Sequence, residues 1–162
     1  MGSPSPKPTE NRSAEYVQRG LEVLRSHGLR ITQTRRAVLQ TLADASEALS
    51  PYAIHARIKD ADGQIDVVSV YRILDTLQEL DLVHHVGLAD GYRACGLDHS
   101  HESHSQHMVC RDCRKVVEVD VPKDVVQHSL QSAAVAGFRE AQVHLEILGT
   151  CDDCEEKQQG SD

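Results

Sequence analysis

Four cysteines stand in two C-x-x-C pairs, Cys110-Arg-Asp-Cys113 and Cys151-Asp-Asp-Cys154, with 37 residues between them. Two such knuckles read as one tetrahedral thiolate site for zinc, and four thiolates leave no open coordination position, so the site builds structure rather than chemistry. Zinc bound this way is typically worth on the order of 10 kcal/mol of folding free energy, enough to hold a small subdomain together. Two pairs so far apart more often share one metal than act as independent redox switches, and the neighbouring Asp112, Asp152 and Asp153 oppose the stabilised thiolate that a reactive cysteine needs.

A second constellation gathers His84, His85, Cys95, His99, His101, His104 and His107, six of the ten histidines and the remaining cysteine within 24 residues. Mixed imidazole and thiolate donors favour zinc over harder cations. Ligands drawn from a hairpin and an adjoining linker would make metal binding a conformational switch. The third constellation, Asp66-Val-Val-Ser-Val-Tyr-Arg72, opens an amphipathic helix. At the start of a recognition helix, Tyr71 can touch thymine methyls, Arg72 can reach a guanine edge or a phosphate, and Ser69 can bond a phosphate.

Net charge is −8, unevenly placed: residues 1–83 carry 10 Lys and Arg against 11 Asp and Glu, residues 84–162 carry 7 against 14. Within the first half, residues 11–43 hold six arginines, Arg35 and Arg36 among them, against two glutamates, so a polyanion would dock there. With no Trp and one Phe, stacking on single-stranded nucleic acid is disfavoured.

Enzyme patterns fail on spacing. His101-Glu102-Ser103-His104 is one residue short of H-E-x-x-H, and Val109 stands where a zinc deaminase needs proline. There is no G-x-S-x-G, P-loop or G-x-G-x-x-G, and the protein is expected not to be an enzyme.

The elements that position these groups follow from apolar spacing and caps. Residues 1–13 are polar and Pro-rich and read as a disordered arm. Helices are expected over 14–27, from a Thr32 cap through Leu42, from Ser50-Pro51 through Ile58, and over 66–80. Strand-like runs at 82–86 and 92–95 flank Asp90-Gly91, which predicts a hairpin, so residues 14–96 make a winged helix. Residues 97–106 form a His-rich hinge. Strands at 107–110 and 116–121, a helix over 122–135 and a strand over 141–148 make a second unit, 107–156, followed by a tail, 157–162. The fold class is therefore α+β. No apolar run is long enough to span a bilayer or act as a secretory signal, which predicts a cytoplasmic protein without a membrane partner.

From about Ala14 to Cys154 the chain resembles the ferric uptake regulator family of bacterial metal-responsive repressors. The resemblance rests on Leu29-Arg-Ile-Thr-Gln-Thr-Arg-Arg36, Val68-Ser-Val-Tyr-Arg-Ile-Leu74, His107-Met-Val-Cys-Arg-Asp-Cys113 and Gly149-Thr-Cys-Asp-Asp-Cys154. It implies an N-terminal winged-helix DNA-binding domain, a C-terminal α/β dimerisation domain, a structural zinc on Cys110, Cys113, Cys151 and Cys154, and a regulatory metal at the hinge. It also implies a homodimer on palindromic double-stranded operators.

Within the family the chain looks most like the zinc uptake regulator branch. The matching regulatory positions are His84, Cys95 and one or two of His101, His104 and His107, while Glu118 matches a glutamate ligand of some members. Ala48 stands where the iron- and peroxide-sensing branches usually carry histidine, and Ser105 and Val143 replace two further family histidines. The expected function is zinc-responsive repression of metal-uptake genes, with at least one regulatory zinc per subunit beside the structural one. The alternatives are a sensor of iron, manganese or nickel, or a zinc-buffering protein.

Overall fold

The computed structural model describes residues 10–96 and 104–159, which fall into two compact units that divide between Gly96 and Leu97. Positions His99 and His101, and the larger parts of the proposed arm and hinge, lie outside the described residues.

Four helices build the N-terminal unit: α1 (Glu10–Ser26), α2 (Gln33–Asp44), α3 (Pro51–Asp60) and α4 (Val67–Glu79). Three of them start at side-chain caps legible in the sequence. Thr32 accepts the backbone N–H of Arg35, Ser50 that of Ala53 and Asp66 that of Ser69, each satisfying a donor that the first turn leaves open. Proline follows Ser50 at the first helical position, where its missing N–H costs nothing. Helix α1 begins at Glu10, inside the stretch read from sequence as a disordered arm. Ser13 is buried there and its hydroxyl donates to the Ala43 carbonyl at 3.1 Å, a tertiary contact that local composition does not reveal.

The helices close on Leu21, Leu24, Val38, Leu39, Leu42, Ile54, Val70, Leu74 and Leu77, all nearly fully buried. Each such side chain contributes roughly 1.5–3 kcal/mol relative to exposure, so this unit has a substantial core without any metal. Strands β1 (Val83–Val86) and β2 (Gly91–Ala94) pair antiparallel, His84 opposite Arg93 and His85 opposite Tyr92. A short 3-10 turn, Gly87–Ala89, and a left-handed Asp90 (φ 47°) join them. Tyr92 also bridges to Leu49 through both backbone groups, which ties the hairpin to the chain between α2 and α3. That close approach explains Gly91, since a Cβ there would meet the Leu49 backbone at 2.9 Å. Helices and hairpin together are a winged helix, as expected.

The C-terminal unit is a three-stranded sheet of order β4-β3-β5, with β3 (His104–Cys110), β4 (Val116–Val121) and β5 (Leu145–Gly149). Strand β4 pairs antiparallel with β3, and β5 pairs parallel with it. Helix α5 (Lys123–Val135) connects β4 to β5. The hinge expected at 97–106 ends sooner than the sequence suggests, because His104, Ser105 and Gln106 pair with Val121, Asp120 and Val119. The last strand is shorter than expected and begins at Leu145, so Val143 and His144 precede it. A helix that the sequence reading omitted, α6 (Asp152–Gln159), extends into the expected tail; Asp152, Asp153 and Glu155 sit in its first turn, where negative charge suits the helix dipole. The core here is thin: Val109, Val116, Val121 and Val126 are buried together with Cys110 and Cys154. Among the described residues no helix is long and apolar enough to cross a membrane.

Candidate metal centres and nucleic-acid interface

The two knuckles meet as their spacing implies. Cys110 ends β3 and Cys113 follows in the turn toward β4, where Arg114 is left-handed (φ 63°) and its N–H returns to the Cys110 carbonyl. Cys151 follows β5 and Cys154 lies in the first turn of α6. Pairing of Cys110 with Gly149, extended by the Arg111 N–H to the Gly149 carbonyl, brings the pairs together.

All four sulphurs lie within 4.8 Å of one another, and those of Cys113 and Cys151 are 3.6 Å apart. A tetrahedral zinc with bonds of about 2.3 Å needs neighbouring sulphurs about 3.8 Å apart, so the residues fit the ion. The backbone N–H of Cys113 pulls the Cys110 thiol down to about 6, and the N–H of Cys151, 3.4 Å from its sulphur, acts the same way. Cys154 is pushed up to about 12 by the Cys113 and Cys151 thiols beside it. Beside the knuckles Lys115 pairs with Asp153 at 3.2 Å.

In the winged-helix unit, His84 and Cys95 present an imidazole nitrogen and a sulphur within 4.8 Å of each other. Cys95 is 2% exposed and follows the end of β2, its N–H bonded to the Leu82 carbonyl at 3.0 Å. His84 is half-buried in the middle of β1, whereas its neighbour His85 turns out to solvent and packs edge-on to Tyr92. In the C-terminal unit, His107 on β3 and Glu118 on β4 are register partners, both buried. A buried carboxylate beside a buried imidazole is costly in an apolar setting unless it has a charged or hydrogen-bonding role. His104 opens β3; Ser105 follows it, opposite Asp120.

The candidate DNA-reading residues differ in exposure and in partners. Val68, Tyr71 and Arg72 are exposed on α4. Ser69, expected to meet a phosphate, donates its hydroxyl to the Asp66 carboxylate, which it helps hold below the usual aspartate range. Arg36 is exposed, while the Arg35 guanidinium donates to the Arg30 carbonyl at 2.6 Å. Sequence reasoning missed Tyr52 on α3, 65% exposed, whose ring stands edge-on to Tyr71 with centroids 6.4 Å apart. An aromatic at the second position of a capped helix was the available signal.

A winged helix with an exposed aromatic and arginine at the start of its fourth helix, joined to a unit closed by four cysteines, defines a metal-binding DNA-regulatory protein. The family model described as "Ferric uptake regulator family" matches residues 26–148. The ferric uptake regulation protein of Campylobacter jejuni is 29% identical over 140 residues, 85% of this chain and 87% of that protein. The zinc uptake regulation protein of Mycobacterium tuberculosis is 30% identical over 130 residues, 78% and 95% of the two chains. A solved structure of a zinc uptake regulator complexed with zinc and DNA superposes with TM-score 0.78 at 28% identity, covering 91% of this chain and 97% of that one. The chain belongs to the ferric uptake regulator family. It has that family's α+β fold and is a metal-responsive transcriptional regulator rather than an enzyme.

Proposed function

We propose that the protein is a zinc-responsive repressor of metal-uptake genes that binds palindromic double-stranded operators as a homodimer when a regulatory metal site is filled. The observation that carries the metal assignment is the buried thiol of Cys95 within 4.8 Å of a His84 ring nitrogen, an imidazole–thiolate pair that favours zinc over hard cations such as manganese. Glu118 and one or more of His101, His104 and His107 are the further donors that the family resemblance implies. A bound metal would crosslink its donors, and the population of the DNA-competent arrangement would rise accordingly. Coupling of roughly 1–3 kcal/mol corresponds to about 5- to 150-fold control of operator affinity.

Tyr71 and Arg72 read base edges, with Arg35, Arg36 and Ser69 on the phosphate side. Dimerisation through the C-terminal unit is supported by its exposed apolar side chains: Val125, Leu130 and Val135 on α5, Phe138 just beyond it, and Ile147 and Leu148 on the edge strand β5. Exposed apolar residues in a unit with a thin core call for a partner.

The test is selection of bound duplexes from a random library by the purified protein, with and without buffered free zinc. Enrichment of one palindrome only with zinc is the expected result. Enrichment only with iron, manganese or nickel reassigns the sensed metal, and no enrichment under any metal removes the operator-binding reading in favour of zinc buffering.

A further inference from the structure

We infer that Arg19 of α1 is a positioning residue for the ligand Cys95, and that α1 therefore belongs to the metal-sensing apparatus. The inference rests on the reading of Cys95 as a regulatory ligand.

Cys95 lies one residue beyond the last paired position of β2. Helix α1 reaches its carbonyl. The Arg19 guanidinium donates through Nη2 to the Cys95 carbonyl at 2.7 Å. Arg19 is itself held, its Cζ standing 5.6 Å from the centroid of the Tyr16 ring. Tyr16 is buried, and its hydroxyl donates to the Leu82 carbonyl at 2.8 Å, the same oxygen that accepts the Cys95 N–H.

Both backbone polar groups of Cys95 are thus referred to one frame, the N–H to Leu82 and the carbonyl to Arg19, with Tyr16 linking the two. Positions 16 and 19 lie three apart, on one stripe of α1. Arg12, four residues before Tyr16, extends the stripe with a long contact of 3.5 Å to the Gly96 carbonyl. A sulphur ligand must sit within a few tenths of an ångström of its place, and a backbone that can rotate past the end of a strand spreads it over more than that. Residues that orient metal ligands typically contribute about 10- to 100-fold in affinity; a contact made through the peptide rather than the thiolate belongs near the lower end.

The test uses the full chain with the four-cysteine site loaded with zinc, titrated with cobalt(II) against a competing chelator. The thiolate-to-cobalt charge-transfer band of the second site and the melting temperature are read together. Wild type, Cys95→Ser, Arg19→Ala and Arg19→Lys are compared. Cys95→Ser loses the band. Arg19→Ala keeps its melting transition but binds cobalt about tenfold more weakly, with a weakened and shifted band; Arg19→Lys, which retains a cationic donor over Tyr16, recovers most of that loss.

An Arg19→Ala protein with the wild-type band and affinity overturns the inference while leaving Cys95 as ligand. So does an Arg19→Lys protein no better than Arg19→Ala. A wild-type band in Cys95→Ser overturns the underlying reading, and this inference with it. Should Arg19→Ala fail to fold, Arg19→Gln takes its place with the same expectation.

Discussion

The sulphurs of Cys113 and Cys151, 38 positions apart in the chain, lie 3.6 Å from each other across the end of the β3–β5 pair. Each belongs to a different knuckle, so no local force holds them there. Four thiols at this distance repel once ionised, and the thin valine core beneath them cannot offset that by itself. Cys113→Ser, or removal of zinc by a strong chelator, should therefore unfold the C-terminal unit while the helices of residues 10–79 persist. Hydrogen exchange resolved by region checks this: retained protection in β3 and β5 after zinc removal would contradict the structural assignment.

Metal uptake at the four-cysteine site should depend on pH in two stages. The Cys110 thiol, down at about 6, has already lost its proton at neutral pH, whereas Cys154, up at about 12, must give one up on binding. The Cys110 thiolate is favoured above its folded value, and this advantage disappears as pH falls through about 6. Zinc affinity should fall steadily from pH 9 to 6 and more steeply below, with proton release that can be read by calorimetry in buffers of different ionisation enthalpy. A constant slope through pH 6 would remove the special status of Cys110.

Cys95→Ser should leave a folded protein with its structural zinc intact and abolish zinc-dependent operator binding. The side chain is buried in a unit whose apolar core stands without it, and serine conserves the volume. Fluorescence anisotropy with the selected operator, with and without buffered zinc, measures the effect. An unchanged zinc response would place the regulatory site elsewhere.

Asp66 caps α4 through the Ser69 backbone N–H at 2.9 Å, and its pKa is lowered by the Ser69 hydroxyl first and the Ser69 backbone second. A depressed carboxylate adds stability at pH values above its unfolded pKa of about 3.8, and the gain vanishes as pH falls through the folded value. Wild type should therefore unfold at higher denaturant than Asp66→Ala at pH 7, and the two midpoints should draw together as pH falls through the folded value, below the usual aspartate range. A gap independent of pH would show that the ionised cap contributes nothing.

Arginines on the same unit should separate into two classes. Arg72→Ala should cost about 1–3 kcal/mol of operator affinity and relax preference at one base position. Arg36→Ala should weaken binding to all sequences alike and reduce the slope of log affinity against log salt by about 1. Anisotropy titrations at several salt concentrations on cognate and scrambled duplexes distinguish the two, and identical behaviour of both variants would leave neither as a base reader.

Helix starts were legible because capping is local: Thr32, Ser50 and Asp66 each bond a backbone N–H three residues on, so residue type and position suffice. The cysteine site was legible because two short spacings admit few uses. Elements whose existence depends on a distant neighbour escaped. His104, Ser105 and Gln106 are polar and carry no strand signal, yet pair because Val121, Asp120 and Val119 lie alongside. Helix α6 is an acidic, nearly apolar-free run, and the first turn of α1 is secured by one hydroxyl reaching Ala43. Hydrophobic periodicity reports burial, and none of these segments buries an apolar stripe.

From the residues alone come the class of metal at the knuckles, the winged helix and the list of donors, since each follows from chemistry and from contacts within a few positions. Tertiary structure alone decided that Tyr52 stands against Tyr71 and that Arg19 grips the Cys95 carbonyl. Those are relationships between segments remote in sequence, and their partners are chosen by the packing of whole helices and strands, a cooperative outcome that no single local preference encodes.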